Sequence, residues 1–183
     1  MRRDLSPSFN LNRRHLVIGA IGAAVLPVAT RAVARAIDMP ATEEDVTFMR
    51  LAIAEAAKGD YPFGAVIIRD GKVLAKGRNL TTQERDPTAH GEMVAIRRFL
   101  AEYGPDELKG TTLYTSGEPC AMCMGAIIWC GVGRLVFAAS IEQVLTKTIQ
   151  IGVPSAEIAD KSAFATIDLT GGVLDKEALA LFK

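Results

Sequence analysis

The sequence is organised around two short stretches, His90-Gly91-Glu92 and Pro119-Cys120-Ala121-Met122-Cys123. Together they supply one imidazole, two thiols and one carboxylate. A catalytic zinc ion takes three protein ligands and keeps its fourth coordination position open for water, whereas a structural zinc site fills all four positions with protein ligands. The histidine and the two cysteines make three strong ligands, so the two stretches together predict an open zinc site with a proton carrier beside it.

The spacing of these residues fits one metal ion. Cys120 and Cys123 lie three positions apart, about one helical turn, so both sulfurs can face the same ion. Pro119 suits the start of a helix because its missing N–H costs nothing there. Helix N-termini lower the pKa of a thiol, which favours the metal-binding thiolate. We therefore expect Zn²⁺ to be bound by His90, Cys120 and Cys123, with Glu92 as the proton carrier.

The order of predicted elements indicates a layered α/β domain. A helix is expected after Thr42, followed by a hairpin whose turn is Asp70-Gly71. Helices are also expected over residues 90–103, 120–129, 141–149 and 175–182. Further strands are expected over residues 111–115, 135–137 and 165–169. Strands that alternate with helices favour a mixed sheet covered by helices on its faces.

Residues 1–36 have the composition of an export signal. Arg13 and Arg14 stand just before an apolar stretch, residues 16–29, and two candidate cleavage sites with small residues follow, Ala32-Val33-Ala34 and Ala34-Arg35-Ala36. The stretch is short for a membrane span of ~20 residues and contains Pro27. The paired arginines resemble a bacterial twin-arginine signal. We therefore expect cleavage, transport by the twin-arginine machinery and a periplasmic or secreted protein; an uncleaved anchor and a misassigned start codon are the alternatives.

The charge of the chain is divided unevenly. Six arginines and one aspartate fall within residues 1–36, which leaves 15 basic and 20 acidic side chains, a net charge of −5, in residues 37–183. Nucleic-acid binding rests largely on neutralising phosphates with basic side chains. The predicted domain is therefore not expected to bind nucleic acid.

Residues 43–150 resemble the cytidine/deoxycytidylate deaminase superfamily, in the branch of guanine deaminases and tRNA adenosine deaminases. The resemblance rests on residues 62–66, residues 86–92 and residues 118–127. It implies a three-layer α/β/α fold with a five-stranded mixed sheet, a zinc ion and a homodimer. It also implies substrate contacts from Asn79 and from the backbone at Gly91, where the superfamily usually has alanine. In guanine deaminases an acidic residue in the loop after the fourth strand helps to handle the substrate, and Glu142 is the candidate for it in this sequence.

The implied reaction is hydrolytic deamination. Zinc lowers the pKa of a bound water to about 7, the resulting hydroxide attacks a ring carbon that bears an amino group, and Glu92 carries the proton to the ring nitrogen and then to the departing amine. We expect a small purine base or nucleoside as substrate, guanine or guanosine ahead of adenine derivatives. A tRNA adenosine and a cytosine or cytidine are the alternatives. Phe63 and Trp129 are candidate pocket walls that we expect to lie in the core.

Two functions outside the deaminases also fit part of the sequence. A thiol-disulfide oxidoreductase would use Cys120 and Cys123, but it leaves His90 and Glu92 without a role. A non-catalytic zinc module of the same fold would not need Glu92. The third cysteine, Cys130, follows an apolar run and is expected to pack in the core.

Overall fold

The computed structural model describes residues 41–183, and a five-stranded mixed sheet forms the centre of this part of the chain. Its strands, in the spatial order β2-β1-β3-β4-β5, are β1 (Gly64–Arg69), β2 (Lys72–Arg78), β3 (Thr112–Gly117), β4 (Arg134–Ala139) and β5 (Asp168–Thr170). β1 runs antiparallel to both β2 and β3, while β3, β4 and β5 are parallel. The predicted fold class is thereby confirmed.

Helices cover both faces of the sheet. They are α1 (Glu43–Ala56), α2 (Gly91–Tyr103), α3 (Ala121–Trp129), α4 (Ile141–Leu145), α5 (Ser155–Lys161) and α6 (Asp175–Leu179), with a 3₁₀ turn at Asp106–Leu108. Apolar side chains of α2, α3 and α5 pack on one face and those of α1 and α6 pack on the other. The first five residues of β1 form an unbroken run without a polar side chain, and all of them are buried because a layer of helices covers each face of this strand.

Asp45 connects the first helix to the sheet. It completes a capping box with Thr42, and its carboxylate also accepts hydrogen bonds from Tyr114 (3.0 Å) and from both terminal nitrogens of Arg134 (2.8 and 3.0 Å). Its burial favours the neutral acid, but the bonds from Arg134, Thr42 and Tyr114 outweigh burial and lower the pKa of Asp45 to about 2. This ion pair, whose carboxylate is fully buried, therefore fixes α1 against β3 and β4.

The C-terminal third differs from the sequence prediction in detail. Helix α4 ends at Leu145 rather than at residue 149. Thr146, Thr148 and Ile149 are β-branched and lose side-chain freedom in a helix, which favours an early end. Helix α5 was not predicted, and the fifth strand begins at Asp168, later than expected.

The predicted export signal, residues 1–36, lies outside the described residues, so export stays a prediction. Within residues 41–183, no helix combines the length and the apolar character that a membrane crossing requires.

Candidate metal centre

The direction of two strands brings the predicted metal ligands together. β2 and β3 both run antiparallel to the strand between them, so the loops that follow them emerge at the same edge of the sheet. The loop after β2 leads into α2 and the loop after β3 leads into α3. His90 is the N-cap residue of α2 and Cys120 is the N-cap residue of α3. One turn further along, Cys123 is fully buried.

The three side chains have the geometry of a zinc site. The Nδ1 atom of His90 lies 3.7 Å from Sγ of Cys120 and 3.6 Å from Sγ of Cys123. All three donor atoms lie within 4.8 Å of one another. Tetrahedral zinc with Zn–N of about 2.0 Å and Zn–S of about 2.3 Å places nitrogen and sulfur about 3.5 Å apart. The donor set and its spacing therefore fit zinc, and the predicted cofactor is confirmed.

The protonation of the two thiols is coupled. A hydrogen bond from Cys123 is the main cause that lowers the pKa of Cys120 to about 4, with a further contribution from His90. The pKa of Cys123 is raised because its thiol donates that bond and is buried. The bond to Cys120 likewise raises the pKa of His90. The lowered pKa of Cys120 favours its thiolate, and binding of a cation at the site favours loss of the thiol proton of Cys123.

Glu92 lies in the first turn of α2 with only 4% of its surface exposed. Burial raises its pKa above the ordinary value for a glutamic acid. A buried carboxyl group two residues from a metal ligand and with a raised pKa holds a proton more readily than an exposed glutamate, which suits a group that accepts and returns protons. The structure thus places the predicted proton carrier beside the metal ligands.

Close backbone packing holds the start of α2 against the sheet. A Cβ atom at Gly77 of β2 would come 2.1 Å from the carbonyl oxygen of Gly91, and a Cβ atom at Gly91 would come 2.9 Å from the carbonyl oxygen of Phe63. Gly77 is therefore required for this approach, whereas a side chain at position 91 needs only a small shift of the backbone.

A cavity of about 310 Å³ opens beside His90. Its lining combines aromatic, polar and aliphatic side chains, namely Tyr61, Phe63, Asn79, Thr81, His90, Thr148, Ile149 and Gln150. The aromatic rings offer faces on which a flat ring could stack. The predicted contact residue Asn79 and the candidate wall Phe63 both belong to this lining. Phe63 is only partly buried, so the expectation that it lies in the core is wrong.

The side chain of Asn79 has a fixed orientation. Its Oδ1 atom accepts hydrogen bonds from the backbone N–H of Thr81 (3.2 Å) and from the Thr81 hydroxyl (2.8 Å). A backbone N–H can only donate, so the oxygen of the amide must face Thr81. The amide NH₂ group is left to donate to a ligand acceptor in the cavity.

Two other predicted residues lie elsewhere. Glu142 is exposed in the first turn of α4 and is not among the side chains that line the cavity; its substrate role stays a prediction. Trp129 is 77% exposed and stacks on Phe164, with ring centroids 4.5 Å apart. The expectation that Trp129 lies in the core is wrong. Cys130 is half-buried and packs against the core, as expected.

Sequence reasoning missed most of the cavity wall. Tyr61, Thr81 and residues 148–150 come from loops, where no periodic pattern marks a buried or a lining position. It also missed Glu118, a buried carboxylate directly before Pro119. An acidic residue between a predicted strand and the metal-binding cysteines is a signal that could have been used.

Known proteins share this site region. The sequence profile described as "Cytidine and deoxycytidylate deaminase zinc-binding region" matches residues 42–139. A guanine deaminase from Bacillus subtilis is 44% identical over 98 residues, which are 51% of this chain and 63% of that protein. This chain thus spans less than two thirds of the Bacillus enzyme.

Two further similarities cover more of the chain. A tRNA-specific adenosine deaminase from Haemophilus influenzae is 38% identical over 141 residues, 74% of this chain and 79% of that protein. A solved structure of a guanine deaminase from Nitrosomonas europaea has a TM-score of 0.61 and 28% identity, and covers 81% of this chain and 85% of that one. Since the profile spans more than half of the sequence and includes all three metal ligands, the chain belongs to the cytidine and deoxycytidylate deaminase family.

Proposed function

We propose that the protein catalyses hydrolytic deamination of a small purine base or nucleoside, guanine or guanosine ahead of adenine derivatives, with release of ammonia. The observation that carries this proposal is the buried carboxyl group of Glu92 beside the His90, Cys120 and Cys123 triangle, of which His90 also lines a cavity. A thiol-disulfide oxidoreductase would need only the two cysteines.

The proposed mechanism assigns a separate task to each side chain. His90, Cys120 and Cys123 would hold zinc, which would lower the pKa of a bound water and so supply a nucleophile near neutral pH. Glu92 accepts the first proton of the attacking water and passes it to the ring nitrogen; it then takes the second proton from the newly attached hydroxyl group and gives it to the departing amine, which leaves as ammonia as the ring carbonyl forms. Asn79 orients the ring by donating its amide N–H to a ring acceptor, since Thr81 holds the amide oxygen.

The size of the cavity supports a small substrate. Its volume of about 310 Å³ is at the lower end of the ~300–1,000 Å³ range of small-molecule sites. The rings of Tyr61 and Phe63 supply stacking surface for a flat heterocycle. The net charge of −5 in residues 37–183 is unfavourable for a polyanionic substrate.

Deamination of an adenosine within tRNA is the second candidate. It is favoured by the similarity to the Haemophilus tRNA-specific adenosine deaminase, which extends over 141 residues. The guanine deaminase relatives favour the small purine. Family similarity therefore leaves both substrates open, and cavity size and charge are our reasons for preferring the purine.

A substrate panel tests the proposal. The zinc-loaded protein is incubated with guanine, guanosine, adenine, adenosine, cytosine, cytidine and a tRNA anticodon stem-loop, and ammonia release is measured. We expect release from guanine or guanosine. Activity confined to the stem-loop would contradict the small-substrate proposal, and activity confined to cytosine or cytidine would contradict the purine proposal.

We also propose that the protein is a homodimer that contacts its partner through α3. All nine residues of this helix are apolar or glycine, but only one face is buried, and Trp129 on the other face is largely exposed. Exposed apolar surface of this kind marks interaction sites. Sedimentation velocity should give a dimer for the parent and a monomer for Trp129→Glu; a monomeric parent would contradict the proposal.

A further inference from the structure

Glu118 joins the metal-binding loop to two distant helices. Its side chain is buried, with 6% of its surface exposed. One carboxylate oxygen accepts a 2.7 Å hydrogen bond from the backbone N–H of Ile141, and the other accepts a 2.6 Å bond from the backbone N–H of Ser155. These donors are the first residues of α4 and α5. Cys120 lies only two residues after Glu118.

The segment between these two helices, residues 146–154, contributes part of the cavity wall. Thr148, Ile149 and Gln150 line the cavity together with His90. Among residues 41–183, every backbone hydrogen bond of this segment is made to a residue at most four positions away. Nothing in this pattern ties the segment to the sheet. Its position therefore depends on its two ends, and the carboxylate of Glu118 binds the helices at both of them.

We propose that Glu118 is a positioning residue that fixes residues 146–154, and with them one wall of the substrate cavity, relative to the zinc-binding loop. The role of Glu118 in substrate binding rests on the proposed deaminase function. The bridge between the loop and the segment is a statement about the fold alone and can be tested without substrate.

The chemistry of the bridge needs both carboxylate oxygens. Each oxygen accepts from a backbone N–H, so neither position tolerates a donor. Glu118→Gln keeps the shape but places an NH₂ group against one of the two N–H groups. That half of the bridge is lost, and a buried N–H is left without an acceptor. The side chain does not contribute a metal ligand, so zinc binding should survive.

The test combines hydrogen exchange with kinetics on the zinc-loaded protein. In Glu118→Gln we expect one zinc per chain, amide exchange at Thr148 and Val153 at least roughly 10-fold faster, and unchanged exchange in β1. Neither probe amide contacts Glu118. With the substrate identified by the panel, KM should rise roughly 10-fold, in line with one lost hydrogen bond to a charged group, while kcat should change less than about 3-fold.

Two further variants separate the bridge from general effects. Glu157→Gln makes the same chemical change on the exposed surface of α5 and should leave exchange and KM unchanged. Ser155→Pro removes one donor, and because its ring replaces the N–H hydrogen, the Glu118 carboxylate must withdraw from α5. Proline is tolerated at the first position of a helix, and the Ser155 hydroxyl has no hydrogen-bond partner within residues 41–183. It should reproduce the faster exchange at Val153.

The outcomes distinguish the two proposals. Unchanged exchange at Thr148 and Val153 in both bridge variants would overturn the role of Glu118, whatever the activity. Faster exchange with an unchanged KM would retain the structural bridge but overturn its role in substrate positioning. If the parent protein is inactive on every substrate, but exchange at Thr148 and Val153 is still faster in the variants than in the parent, the deaminase function is contradicted and the bridge is retained.

Discussion

His90 and Cys120 occupy equivalent positions, each as the N-cap residue of a helix, with their Nδ1 and Sγ atoms 3.7 Å apart. Neither side chain caps its own helix. Both are therefore available to a ligand at a point where the positive ends of two helix dipoles meet. This favours the deprotonated thiols that zinc requires.

Zinc content tests the ligand assignment. Cys123→Ser should lower bound zinc well below one per chain and lower Tm by ~5 °C or more, because zinc binding contributes free energy to the folded state. Cys130→Ser makes the same change at a half-buried cysteine outside the site and should keep its zinc. Full zinc occupancy in Cys123→Ser, measured by atomic absorption, would contradict the assignment.

The amide of Asn79 should act as a donor to the substrate. Asn79→Asp preserves the shape and the bonds from Thr81 but replaces the NH₂ donor by an oxygen, so KM should rise ~10- to 100-fold. Thr81→Ser keeps both bonds to the amide oxygen and should change KM by less than about 3-fold. Steady-state kinetics of ammonia release measure both, and a parent-like KM in the Asn79→Asp variant would exclude the contact.

The Asp45–Arg134 pair should make stability depend on pH in acid. The pKa of Asp45 is lowered from 3.8 to about 2 in the folded protein, so its contribution, about 2 kcal/mol, is fully present above pH ~4 and is lost as the pH falls towards 2. Asp45→Asn should therefore be less stable than the parent at pH 7, and the difference should shrink below pH 4. Urea denaturation at each pH gives the free energy of unfolding of both proteins, and the difference between them tests the prediction.

A surface pair provides the control for this prediction. Asp106 pairs with Lys109, but its side chain is 88% exposed, and exposed pairs contribute little to stability. Asp106→Asn should be indistinguishable from the parent at every pH. A stability difference for Asp45→Asn that persists unchanged below pH 3 would mean that the charge of Asp45 is not its cause.

The sequence was most informative where chemistry and periodicity coincide. The metal ligands, the buried β1 strand and the capped start of α1 each depend on a local pattern, and the structure has them where they were expected. The exposure of Trp129 could not be predicted, because α3 consists of apolar residues and glycine and has no polar face to contrast with its buried one. The cavity wall at residues 148–150 depends on the hydrogen bonds of Glu118 to Ile141 and Ser155. Contacts between residues this far apart in the sequence cannot be predicted from local sequence patterns.

Export is predicted to depend on Arg13 and Arg14, which precede the apolar stretch of residues 16–29. Replacing both arginines by lysine keeps the charge and removes the paired-arginine signal, so the protein should remain in the cytoplasm. Cell fractionation measures this, and N-terminal sequencing of the exported parent would locate the cleavage. Undiminished export of the double variant would contradict a twin-arginine route.

Ammonia release as a function of bound zinc tests the central claim most directly. Metal-free protein is titrated with zinc, and the rate with the preferred substrate of the panel is measured. The rate should rise in proportion to bound zinc and level off at one zinc per chain. Glu92→Gln should bind the same zinc but lose activity ~10²- to 10⁴-fold, because it lacks the proton carrier. Full activity without zinc, or a Glu92→Gln rate above a tenth of the parent rate, would contradict a zinc-dependent deaminase that uses Glu92.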